Sequence, residues 1–85
     1  MTYVLQIDVE AGKDLARLPR DISQRIFRKM QETKQNPSHY WIKLEGRTDY
    51  KLRVGDYRAI ADIDHKRKLI QVTKIGHRRV VYDRT

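Results

Sequence analysis

The stretch from Asp49 to Arg58 constrains the fold of this chain most, because its side chains alternate in polarity on both sides of a short break. Apolar residues alternate with Lys51 and Arg53 as far as Gly55-Asp56, and the pattern then resumes. Such alternation around a glycine-containing dipeptide predicts a β-hairpin. With a two-residue turn, Arg53 lies opposite Arg58, and Lys51 lies two positions along on the same face, whereas a three-residue turn would put Arg53 and Arg58 on opposite faces. The hairpin is therefore expected to have one apolar face and one basic face.

Three cations on one strand face need an explanation, because like charges directly opposite each other in a sheet repel. Each such pair costs a few tenths of a kcal/mol to about 1 kcal/mol. A sheet that keeps the pair is expected to bind an anion. The alternative is a solvated face that carries the cations by chance, and the hairpin alone does not decide between the two.

Composition limits the class of protein. The chain has 85 residues, a net charge of +8 and no cysteine, which predicts a single domain spanning residues 1–85 without disulfides or a thiolate metal site. The N-terminus has neither the charge nor the apolar run of a signal peptide, so a soluble cytoplasmic protein is expected. The basic excess favours a polyanionic partner: nucleic acid, an anionic membrane surface or an acidic protein.

Hydrophobic periodicity predicts two helices between strands. Helical spacing begins at Val9 and should end at Leu18 before Pro19, and a second helix should run from about Arg20 to Lys34. Strands are expected at residues 2–8, in the hairpin, at residues 57–64 and at residues 68–75, with Gly76 ending the sheet. The prediction is an α+β fold in the order β-α-α-β-β-β, with a helical hairpin packed on one face of a mainly antiparallel four-stranded sheet.

Residues outside the hairpin have simpler interpretations. The cations of the second helix are interpreted as a solvated face, because acidic and neutral residues interrupt them. Trp41 is interpreted as a packing anchor. The three histidines are far apart in sequence and no carboxylate cluster accompanies them, so neither a metal site nor a cofactor is expected.

The available side chains suit RNA cleavage by the neighbouring 2′-hydroxyl. That reaction needs a base for the hydroxyl proton, cations for the pentavalent phosphorane and an acid for the leaving 5′ oxygen. Lysine and tyrosine have pKa values near 10 in general, so a base role requires tuning by neighbouring charges. A histidine, which titrates near neutrality, is a candidate acid.

Two blocks of the sequence resemble the hallmark blocks of the RelE/ParE superfamily of toxins. The first is Asp49 to Arg58 and the second is Ile75 to Tyr82, and the residues between and before them also fit the family. The resemblance implies a RelE-like fold and a type II toxin. In the RelE branch, such a toxin enters the ribosomal A site, cuts mRNA there and is silenced by a cognate antitoxin.

The resemblance also implies roles for individual residues. Lys51 and Arg53 match the two basic strand residues that activate the 2′-hydroxyl and hold phosphate, and Arg58 matches the arginine that stabilises the transition state. Arg78 matches the arginine near the leaving group, and Tyr82 matches the C-terminal tyrosine that stacks on the base. His77 stands where some members have lysine.

The sequence leaves the general base open. Arg53 replaces the second lysine of the best-known RelE pattern, and arginine is a poor proton acceptor, so the base would be Lys51, Tyr82 or His77. The implied partners are an acidic RelB-like antitoxin, the ribosomal A site and mRNA, with no membrane and no small-molecule substrate. The alternatives are a ParE-like DNA gyrase inhibitor and a basic RNA-binding homologue without activity.

Overall fold

A computed structural model describes residues 2–82, apart from the side chains of Val80 and Tyr82. The elements are β1 (Val4–Ile7), α1 (Val9–Arg17), α2 (Arg20–Glu32), a 3-10 turn (Thr33–Gln35), α3 (Pro37–Tyr40), β2 (Ile42–Lys43), β3 (Tyr50–Val54), β4 (Tyr57–Asp64), β5 (Leu69–His77) and α4 (Arg78–Tyr82). The five strands form one sheet in the order β1-β5-β4-β3-β2, in which β1 is parallel to β5 and the other pairs are antiparallel. No helix within residues 2–82 has the length and apolar character needed to cross a membrane.

The predicted fold class is confirmed, with one strand more than the four expected. The extra strand is β2, whose two residues pair with Lys51 and Tyr50 of β3. Two residues are too few to produce a detectable alternation. The sheet also continues through Gly76 to His77, because Gly76 pairs with Arg58 in the ladder, and the expectation that Gly76 ends it was wrong.

Helices α1 and α2 cover one face of the sheet. Ala11, Ile26 and Met30 of the helices are buried in the core, where α1 packs on β5 and α2 packs on β3. Trp41 is 3% exposed, and its Nε1 donates to Thr33 Oγ1 at 3.0 Å, so its predicted role as a packing anchor is confirmed. The core cluster consists of Tyr3, Ala11, Ile26, Met30, Trp41, Leu52, Val54, Ala59, Ala61, Ile70, Val72 and Ile75.

Helix α4 packs on the opposite face of the sheet, at Gly76. A Cβ built on Gly76 would lie 3.4 Å from Val81 Cγ2, so the missing side chain lets α4 lie directly on β5. Val81 and Ile60 are both buried on this side. The basic face of the hairpin is therefore bordered by the C-terminal helix instead of being fully open to solvent.

Candidate functional site

The hairpin has the register that its sequence predicts. Arg53 pairs with Arg58 and Val54 pairs with Tyr57 across a two-residue turn. Gly55, the first turn residue, has a φ of 60°, which is the positive φ that a type II′ hairpin turn requires and that glycine adopts without steric cost. Because side chains alternate along strands, Lys51, Arg53 and Arg58 project to the same face.

Arg58 is held rigidly in this group. It is 5% exposed, and its Nη1 donates hydrogen bonds to the carbonyl oxygens of Gly55 at 2.9 Å and of Tyr57 at 2.8 Å. A guanidinium has five N–H donors and keeps its charge in proteins. The two bonds to the turn fix the orientation of the charged group before any ligand binds, whereas Arg53 opposite it is exposed.

The second sequence block meets the first through the backbone. The amide of Arg78, the first residue of α4, donates to the carbonyl oxygen of Asp56 in the hairpin turn at 2.8 Å. This bond holds the exposed Arg78 beside the turn that separates Arg53 from Arg58. Tyr82 is the last residue of α4, and its side chain lies outside the described part of the chain.

His77 is the one described candidate that the structure does not bring into this group. Its partner in the ladder is Tyr57, whereas the partner of Arg58 is Gly76. The His77 side chain therefore projects to the face that α1 and α2 cover, opposite the basic face. The ring lies 5.5 Å from that of Tyr57 in a T-shaped contact, and its Nδ1 accepts a hydrogen bond from the Arg79 amide at 3.2 Å. On this geometry His77 shapes the start of α4.

A cleft of about 280 Å³ lies at the edge of β3, where its pairing with β2 ends, and the basic residues open into it. Its lining residues are Lys29, His39, Tyr40, Ile42, Lys51, Leu52, Arg53 and Arg58. Lys29 Nζ lies 5.0 Å from the centroid of the Tyr40 ring, a cation–π distance. The cleft therefore combines cations with an aromatic ring.

Sequence reasoning missed Lys29 and His39 as members of this site, and left open whether Tyr40 packs in the core or stacks on a base. Lys29 belongs to a helix whose cations were interpreted as a solvated face, and His39 and Tyr40 belong to α3, which was not predicted. No spacing in the sequence relates these residues to positions 51–58, because the cleft brings together elements that are distant along the chain.

The arrangement suits an anion with developing charge. Cations preorganised in a partly enclosed site stabilise a transition state that gains negative charge. Of the three strand cations Lys51, Arg53 and Arg58, Lys51 is the one that could also transfer a proton, since arginine does not deprotonate in proteins.

Comparison with known proteins gives a consistent result. The family model described as the ParE toxin of type II toxin-antitoxin system, parDE, matches residues 5–82. The archaeal RelE-RelB complex from Pyrococcus horikoshii contains a chain with 32% identity and a TM-score of 0.77, over 92% of this chain and 97% of that chain. No match was found among curated protein sequences.

Two further solved structures share the fold at lower identity. The toxin-antitoxin complex RelBE2 from Mycobacterium tuberculosis matches with a TM-score of 0.82 and 20% identity, over 91% of this chain and 92% of that chain. An arginine double mutant of the E. coli toxin RelE in the free state matches with a TM-score of 0.80 and 23% identity, over 98% of this chain and 93% of that chain.

Proposed function

This chain belongs to the RelE/ParE superfamily and is a type II toxin-antitoxin toxin, and we propose that it is an endonuclease that cuts mRNA in the ribosomal A site. The observation that carries the proposal is the joining of the two basic sequence blocks. Arg53 and Arg58 are paired on one strand face, and Arg78 is bonded through its amide to the turn between them. Inhibition by binding alone does not require cations with such fixed mutual positions.

In the proposed reaction, a base removes the proton of the 2′-hydroxyl and the resulting oxygen attacks the adjacent phosphorus. The bond from phosphorus to the 5′ oxygen breaks, that oxygen takes a proton from solvent, and the products end in a 2′,3′-cyclic phosphate and a 5′-hydroxyl. Lys51 acts as the base, Arg53 and Arg58 stabilise the charged phosphorane, and Arg78 lies on the leaving-group side. Neither a metal nor a cofactor takes part in these steps.

The proposal includes partners and a location. The solved relatives include RelE-RelB complexes, so an acidic RelB-like antitoxin is the proposed inhibitor of this toxin, whose net charge is +8. The ribosome with its bound mRNA is the proposed target. A toxin with these partners would act in the cytoplasm, which is the proposed location.

A second function has one specific observation in its favour, which is that the matching family model describes a ParE toxin. The ParE-like alternative is inhibition of DNA gyrase without RNA cleavage. It would use the shared fold but would not need the fixed pairing of Arg53 with Arg58.

The two functions separate in one experiment on purified, antitoxin-free toxin. We expect cleavage of mRNA on ribosomes with an empty A site, read as new 5′ ends, and no accumulation of cleaved gyrase–DNA complexes in a parallel reaction. Intact mRNA together with stabilised gyrase complexes would overturn the endonuclease proposal and favour the ParE-like function.

A further inference from the structure

A second basic groove lies beside the proposed catalytic face, between α2 and the turn of the β3–β4 hairpin. It has a volume of about 340 Å³. Its lining residues are Arg25, Arg28, Lys29, Glu32, Arg53, Val54 and Gly55. Its cations come mainly from the helix whose charged side the sequence pattern assigns to solvent.

Arg25 is exposed, and its guanidinium lies over the hairpin turn at Gly55. A Cβ built on Gly55 would overlap the Arg25 guanidinium, so the missing side chain at Gly55 makes room for this cation. Gly55 thus serves two purposes, because its positive φ also forms the turn. One wall of the groove thus lies beside the same turn that orients Arg58.

The charge of the groove is mostly uncompensated. Arg28 and Lys29 follow Arg25 by three and four positions on α2, a spacing that places both beside Arg25 on one side of the helix. Glu32 pairs with Lys29 at 3.6 Å, but no carboxylate within residues 2–82 lies within ion-pair distance of Arg25 or Arg28. Unpaired arginines held close together repel each other, so an anion that binds them gains affinity.

The groove is continuous with the site. Lys29 and Arg53 line both the groove and the cleft at the edge of β3. A chain of phosphates lying on Lys51, Arg53 and Arg58 would therefore meet the next cations by passing over that edge toward α2. Tyr40, whose ring is partly buried and lies under Lys29 Nζ, is an aromatic side chain at the crossing point.

We propose that the groove binds the phosphodiester backbone of the substrate RNA strand beside the phosphate that is cut. The lining favours a nucleic acid backbone over a protein segment, because it holds four cations and no exposed large apolar residue that could receive an apolar side chain. The inference rests on the proposed function for the identity of the strand, and adds to it a path for the flanking nucleotides.

The test measures binding instead of cleavage, using labelled single-stranded RNA that is 2′-O-methylated throughout and so cannot be cut by its own 2′-hydroxyls. Each phosphate contact contributes about 0.7 to the slope of log K against log salt for single strands. We expect Arg25→Gln/Arg28→Gln to lower the magnitude of that slope by about 1.4. We also expect this variant to lose the gain in affinity that a longer strand gives the unmodified toxin.

The matched control is Lys66→Gln/Arg67→Gln, which removes the same charge from the exposed turn at the far end of β4. This control should keep the slope of log K against log salt of the unmodified toxin, and so should the charge-preserving Arg25→Lys/Arg28→Lys. Equal slopes for the two glutamine double variants would overturn the proposal, because net charge alone would then explain binding. It would also be overturned if RNA binding were unchanged in Arg25→Gln/Arg28→Gln while a glutamate-rich helical peptide lost affinity.

The outcome is separable from that of the proposed function. If the toxin leaves ribosome-bound mRNA intact but the two glutamine double variants differ in salt slope, the groove proposal stands and the nuclease proposal fails. If the toxin cuts mRNA but the two glutamine double variants are indistinguishable in RNA binding, the nuclease proposal stands and the groove proposal fails.

Discussion

Replacing Arg58 by alanine is expected to lower the single-turnover rate of mRNA cleavage on the ribosome about 10²- to 10³-fold, the usual effect of deleting one preorganised donor to a developing anion. Binding to the ribosome should change far less, because Arg58 is 5% exposed and acts on charge that appears only during the reaction. The measurement is the cleavage rate at saturating toxin, compared with the dissociation constant of the toxin–ribosome complex.

The structure adds a second effect of the same substitution, on stability. Alanine leaves the carbonyl oxygens of Gly55 and Tyr57 without their donor from Arg58, which costs about 1–3 kcal/mol in the free energy of unfolding. Arg58→Lys is the companion variant, because it keeps the charge while losing the planar fork. We expect it to fold and bind but to remain slow. If the cleavage rate and the affinity for the ribosome fell by the same factor in both variants, a role of Arg58 in the transition state would be contradicted.

Replacing Lys51 by methionine or by arginine is expected to lower the same rate about 10²- to 10⁴-fold, the range for loss of a general base. Lys51→Arg is the more telling variant, because it keeps the positive charge on the strand but cannot accept a proton at neutral pH. It should bind programmed ribosomes like the unmodified toxin and cut slowly. A fast Lys51→Arg enzyme would contradict the base role and leave Lys51 as a phosphate contact.

His77→Ala is the control for this assignment. The sequence leaves His77 open as a proton-transfer group, but its side chain projects to the face opposite Lys51 and contacts Tyr57 and the Arg79 amide. Its removal should leave the cleavage rate within the same order of magnitude. A loss as large as that of Lys51→Arg would contradict the grouping of residues derived from the register.

The hairpin could be predicted from the sequence because its determinants are local. Alternation fixes which residues share a face, and a glycine at the first turn position fixes the register. The helix boundaries followed equally local rules: α1 ends at Arg17, with Leu18 as its cap before Pro19, and α2 begins at Arg20. The sequence therefore predicts the pairing of Arg53 with Arg58 on condition that the turn has two residues, and the structure has that turn.

The surroundings of the hairpin could not be predicted in this way, because they depend on contacts between distant elements. Nothing in the stretch around Arg58 indicates that its guanidinium is buried against its own turn, since strand alternation gives the direction of a side chain and not its exposure. Because β5 continues past Gly76, His77 is a strand residue, and its side chain projects to the sheet face that α1 and α2 cover. A tail that left the sheet at Gly76 would not have this constraint. The position of Arg25 over Gly55 arises from the packing of α2 on β3.

The central claim is that the RNA provides its own nucleophile at the basic face, and a single-atom change in the substrate tests it. A ribosome-bound mRNA is prepared with one 2′-deoxynucleotide directly before the main cleavage position, and its cleavage is compared with that of the all-ribose mRNA. We expect cutting at that position to be lost while toxin binding to the ribosome is unchanged. Continued cutting at the deoxy position would contradict the claim, because the phosphate would then be attacked by another nucleophile.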